Sequence, residues 1–130
     1  MAVRATITTK GFEALLDALA QMGADVDAAA DQALQNGGQT LLDGMLRRVP
    51  RDTGNLAANL SIDGPHLDGN YHYITVGLNH GVDADTARYG AVQEYGAADT
   101  PAQPYIRPTL EEDMRKARQA MVKVFQELLQ

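Results

Sequence analysis

The end of the chain constrains the fold most. From Pro108 to Gln130, Leu110, Met114, Ala117, Met121, Val124 and Leu128 recur at spacings of four and three, and Phe125 and Leu129 widen the stripe. That period is helical, and a helix over this stretch is ~34 Å long at 1.5 Å per residue. A rod with one apolar side needs a surface to cover. The spacing suits a helix lying on a sheet and equally one that also pairs with a neighbour. Two starts are compatible with the residues. Pro108 suits a first helical position, and Thr109 with Glu112 forms a capping box. In either case Glu111, Glu112 and Asp113 lie at the positive end of the helix dipole.

A second apolar pattern supplies more helix near the start. Phe12, Leu15, Leu16, Leu19 and Met22 share a helical period that Gly23 ends. Another helix is expected from Asp25, carrying Val26, Ala29, Ala30, Ala33 and Leu34 and then Leu41, Leu42, Met45, Leu46 and Val49 on one face. Gly37 and Gly38 interrupt it at about 1 kcal/mol each relative to alanine, so a kink or the close approach of another backbone is expected there. Arg47 and Arg48 complement its last turn, and Val49-Pro50 disfavours further helix.

Between these helices the period changes to two. Leu56, Ala58, Leu60 and Ile62 alternate with polar or small residues, and Ile74, Val76 and Leu78 do the same within Tyr71 to Leu78. These read as two strands of a hairpin, joined by a long loop from Asp63 to Asn70. Asn79 to Thr86 reads as a polar loop. Ala87 to Tyr95 fits either a short helix or a third strand, and Tyr89, Val92 and Tyr95 at spacings of three favour helical turns. The expected fold is α+β. It has two N-terminal helices, a small antiparallel sheet of about three strands, and a long C-terminal amphipathic helix packed on the sheet. At 130 residues this is one domain, 1–130.

Composition narrows the function classes. The formal net charge of −6 argues against a dedicated nucleic-acid or acidic-membrane surface. With no cysteine there is neither a disulfide nor a thiolate metal site. No apolar run approaches the ~20 residues of a membrane span, and the N-terminal MAVRATITTKGF lacks the apolar centre of a signal peptide.

Chemistry-bearing residues are few and poorly arranged for catalysis. His80, Asp83 and Asp85 form a loose trio with nothing to hold a metal geometry, and read as a solvated loop. His72 reads as a strand-edge histidine. Asp25, Asp27 and Asp31 fit a solvated helix start. Glu94 stands out because Val92 and Tyr95 flank it, and a half-buried carboxylate needs a partner. Arg107 or Arg88 could supply one. No phosphate-binding glycine loop, no nucleophile elbow and no nucleophile–base pair is present. An enzyme is not expected, and neither is a cofactor or a metal.

The stretch QEYGAADTPAQPYIRPTLEED, Gln93 to Asp113, holds Pro101, Pro104 and Pro108 within eight residues. Such a strap is stiff. It either packs Tyr105 on the chain's own core or presents it to another subunit. PRDTGNLAANLSI, then TVGL, then YGAVQEYGAADTPAQPYIRPTLE, in that order between helices, resembles a family of tailed-phage neck proteins. These are the gene-ten-like proteins of HK-type siphophages, akin to the lambda-type minor tail protein Z. The resemblance rests on Pro50, Asp52, Thr53, Gly54, Leu56, Glu94, Tyr95, Gly96, Gln103, Pro104, Tyr105, Arg107 and Pro108. Ala97-Ala98-Asp99-Thr100 departs from it, standing where the family often has Gly-Thr directly after the aromatic.

The resemblance implies a structural virion protein of the neck or tail top, joining head to tail, made in the bacterial host cytoplasm. Its implied partners are other copies in a ring of six or twelve, other neck and tail proteins, and DNA that passes through without specific binding. No membrane is implied. A tail terminator capping the tail tube and a monomeric binding module are the competing readings. A stiff strap loses little entropy on docking, and Tyr and Arg are enriched at interface centres.

Overall fold

The computed structural model describes residues 3–51 and 54–130. In chain order the elements are strand β1 (Arg4–Thr8), helix α1 (Glu13–Gln21), helix α2 (Val26–Arg48), a single turn α3 (Asn55–Ala58), strands β2 (Leu60–Asp68) and β3 (Tyr71–Leu78), helix α4 (Ala84–Tyr95) and helix α5 (Ile106–Leu128). The architecture is α+β. The three strands form an antiparallel sheet of order β1-β3-β2. Ala5, Ile7, Leu60, Ile74, Val76 and Leu78 point to one side and are buried there. Helix α2 crosses that side over β2 and β3, and α5 lies beside α2 and over β1. The other side of the sheet has no helix on it among the described residues.

The sheet differs from its sequence expectation in three ways. Its third strand is the N-terminal segment, where Ala5 and Ile7 alternate with Arg4, Thr6 and Thr8; Ala87 to Tyr95 is helix. Leu56 to Ala58 form a helical turn rather than strand, because Gly54 at φ +76° starts a turn that carries Leu56 into the core. The long loop from Asp63 to Asn70 is mostly strand. β2 runs on to Asp68 through a register shift between Asp63 and His66, and only Gly69 and Asn70 separate the paired Asp68 and Tyr71. Gly69, at φ +60°, supplies the left-handed conformation that so short a turn requires.

Helix α2 is unbroken through Gly37 and Gly38, and close approach is the reason for both. A Cβ on Gly37 would stand 3.0 Å from the Met121 side chain and 3.2 Å from the Ala117 carbonyl of α5. One on Gly38 would collide with Ile74 of the sheet. Asp25 caps the helix, accepting the Ala28 N–H at 3.0 Å, as its position in the sequence suggests. On α5, Ala117, Met121, Val124 and Phe125 are buried, while Leu128 at the far end is exposed.

Candidate functional site

The Pro-rich connector and the start of α5 form one built unit. Helix α5 begins at Ile106, two residues before Pro108, with Tyr105 as its N-cap residue. The first N–H groups of a helix have no partner within it. Here one side chain takes them. Glu94 Oε1 accepts from the N–H of Tyr105 at 2.9 Å and of Ile106 at 2.7 Å, and Oε2 accepts from the N–H of Arg107 at 2.9 Å. Pro108 comes next and has no N–H to satisfy. The carboxylate also meets the positive end of the dipole. Glu94 is 2% exposed, so these bonds replace water rather than compete with it.

This corrects the partner expected for Glu94. Its acceptors serve backbone, including the Arg107 N–H, and not the guanidinium of Arg107 or Arg88. Arg88 lies 3.6 Å from Asp85 instead. The helix start is corrected with it. Pro108 is the third helical residue, and the Thr109 hydroxyl donates back to the Tyr105 carbonyl at 2.7 Å rather than capping from outside.

Tyr105 is fully buried, and its hydroxyl donates to the Gly90 carbonyl at 3.2 Å. Burial pushes its phenol pKa well above the ordinary value, with the Glu94 and Tyr95 charges adding to the effect. Gly90 leaves room for the ring, since a Cβ there would stand 3.0 Å from the Tyr105 hydroxyl and 3.2 Å from Leu56. Between α4 and α5 the chain is tied down further. Gly96, at φ +81°, ends α4 and donates to the Val92 carbonyl at 2.7 Å. The Gln103 N–H donates to the Gln93 carbonyl at 2.7 Å, and Ala97 bridges to Thr100. Ala97, Ala98, Asp99, Pro101, Ala102 and Gln103 nonetheless face outward.

The structure therefore divides the motif residues. Glu94, Tyr105 and Leu56 are buried in the chain's own core. Gly54 and Gly96 make turns, and Pro104 and Pro108 are half-buried. Tyr95, Gln103 and Arg107 are exposed. Asp52 and Thr53 lie outside the described residues.

A second cluster, centred on Asp113 about two turns further along α5, escaped the sequence reading. Asp113 is 2% exposed and accepts from Arg48 Nη1 at 2.7 Å and Arg47 Nη2 at 2.9 Å. Arg48 also donates to Thr109 Oγ1 at 3.1 Å and to Glu112 at 2.6 Å. The hydrogen bond from Arg48 holds the Asp113 carboxyl below the ordinary carboxylate range, although burial opposes it. Gly44 makes the contact possible, because a Cβ there would collide with Asp113. The paired arginines read as dipole complements in the sequence, and the acids as a helix start. Only the antiparallel packing of α2 on α5 joins them.

The remaining candidates are dispersed. Asp83 caps α4, accepting from the Thr86 N–H at 2.8 Å, while the His80 ring faces Asp63 at 3.2 Å. His72 is on the central strand, not an edge, and its two ring nitrogens each lie 3.0 Å from a carboxylate oxygen, of Asp27 and of Asp31. No cluster of three or more metal-ligating side chains occurs among the described residues. No helix among them is long and apolar enough to cross a membrane.

Residues 13–96 match the model of a protein family described as "Bacteriophage HK97-gp10, putative tail-component". The match runs from the start of α1 to the end of α4. No curated protein and no solved structure matches the chain.

Proposed function

Because the chain belongs to the HK97 gp10-like family and is thereby a phage tail component, we propose that it is a ring-forming neck or tail-completion subunit that joins head and tail around the DNA channel. The role is structural, with no catalysis. Six or twelve copies surround the channel, and other neck and tail proteins bind the two faces of the ring. DNA passes through without specific binding, and the net charge of −6 suits a channel that must not hold it.

The observation that carries this reading is the strap. Its ends are fixed by Glu94 and by the Gln103–Gln93 bond, and its middle is exposed. Pinned loops of this kind bind with little loss of conformational entropy. The Tyr105 ring is committed to its own core, so the outward strap, together with the exposed Arg107, is the part that faces a neighbour.

Negative-stain images of the purified protein test the reading. Rings are expected, alone or on addition of purified tail. A monodisperse monomer at high concentration, both alone and with tails, overturns it.

A further inference from the structure

The sheet ends in two edges of unlike character. Leu78 donates to the Val3 carbonyl and Thr9 to the His72 carbonyl. Backbone groups alternate sides along a strand. Ala5 and Ile7 therefore bond toward β3, while Arg4, Thr6 and Thr8 turn their N–H and C=O groups away from the sheet. Thr6 is exposed, and neither proline nor bulge interrupts this edge. On the far side Asn79 donates to the Asn59 carbonyl, so Leu60 and Ile62 turn their backbone groups outward. That second edge is open only as far as Asp63. Beyond it the register shifts, Pro65 has no N–H, and Gln35 Nε2 donates to the Gly64 carbonyl at 3.3 Å.

Charge distinguishes the edges as well. On the side of the sheet without helices, β1 and the residues after it carry Lys10 and the half-buried Arg4, whose Nε donates to the Leu78 carbonyl at 2.8 Å, and β2 carries Asp68 and Asp63, the latter facing His66 and His80 of its own chain. Both edge strands are antiparallel to β3, so they run in the same direction. A rotation that closes a ring preserves that direction.

We propose that copies of this chain join through these edges, β1 of one copy adding in parallel to Leu60–Asp63 of the next. The proposal rests on the ring reading above and names its contact. With Ala5 set opposite Ile62, the apolar side of one sheet continues into the next. Thr6 then lies beside Asp63, Arg4 reaches the same carboxylate diagonally, and Lys10 is level with Asp68. Self-pairing of β1 across a twofold axis centred on Thr6 would instead bring Arg4 diagonal to a second Lys10. Opposite charges on neighbouring strands stabilise a sheet and like charges destabilise it, so the head-to-tail pairing is preferred.

The natural chain has no cysteine, which makes the test clean. Within one chain Thr6 and Asp63 both pair with Thr75, on either side of it. They stand roughly 10 Å apart, beyond disulfide reach. The double variant Thr6→Cys with Asp63→Cys should therefore oxidise into a ladder of covalent multimers ending in a closed ring, while Thr6→Cys alone stays uncrosslinked. Thr6→Pro removes an edge N–H without breaking a bond to β3, and should abolish rings while the melting temperature of the subunit changes by a few degrees at most. Rings that persist in Thr6→Pro, or rings whose double variant never crosslinks, overturn the edge contact and leave the ring reading standing. A covalent dimer from Thr6→Cys alone overturns it in favour of the twofold contact. A wild-type chain that stays monomeric under all conditions sinks both.

Discussion

Glu94 reaches across from the last turn of α4 to the backbone of Tyr105, 2.9 Å away, and the same carboxylate serves the next two N–H groups of α5. The two helices are thus joined by a side chain as well as by the strap.

Glu94→Gln keeps the shape and loses the charge, and it turns an amide NH2 toward backbone donors. We expect a loss of ~2 kcal/mol, from the stranded N–H groups and the uncompensated dipole. Urea denaturation at neutral pH measures it. An unchanged midpoint with an unchanged slope would show that the carboxylate contributes nothing to the fold.

Tyr105 separates hydrogen bonding from packing. Tyr105→Phe removes only the bond to Gly90 and should lower stability by about 1 kcal/mol. Tyr105→Ala opens a cavity between α4 and α5, with an expected loss of ~3 to 5 kcal/mol. If the alanine variant melts like the wild type, the ring is not a core residue and the burial described above is wrong.

Asp113 gives the fold a pH-dependent element. Its folded-state pKa lies below that of the unfolded chain, where the ordinary value is 3.8. Its contribution is fully present above that value and is lost as pH falls from there through the lower folded value. Asp113→Asn should cost about 3 kcal/mol at pH 7, because Arg48 loses its buried partner. The gap between the two proteins should narrow under strongly acidic conditions. Equal gaps in urea midpoints at pH 7 and in acid would contradict the assignment.

Gly38→Ala sets two effects against each other. Helix propensity gains about 1 kcal/mol. The new methyl meets Ile74 in the sheet, and overpacking of that kind costs ~1 to 3 kcal/mol. The collision should win, giving net destabilisation in a thermal melt. A variant more stable than wild type would mean that Ile74 moves aside freely.

The sequence revealed its helices because their apolar residues repeat over many turns. Leu110 through Leu128 and Val26 through Val49 could hardly be read otherwise. Strand β1 went unread because five residues give only two inward side chains, Ala5 and Ile7, and alternation that short is ordinary in loops. The second half of β2 reads as loop because Gly64-Pro65 and the turn-forming residues around them normally end a strand, and here they sit at a register shift within one. The need of Glu94 for a partner was legible from its apolar neighbours. Its true partners were not, since backbone N–H groups are the same at every position and only the fold brings three of them together. A stiff strap is legible from Pro101, Pro104 and Pro108, but whether Tyr105 faces inward or outward is not, since either placement fits the same residues. What the geometry adds is that Tyr105 serves its own subunit.

The adjacent glycines of α2 carry a consequence for how tightly that helix is keyed. Successive residues on a helix point about 100° apart, so Gly37 and Gly38 mark two separate flanks, one where a methyl would be tight and one where it would collide. Turning the helix by one residue would drive the much longer side chain of Asn36 or Gln39 into one of these gaps. The rod is therefore indexed like a splined shaft, held in angle as well as in height between a sheet and a second rod, and the subunit has one way to close.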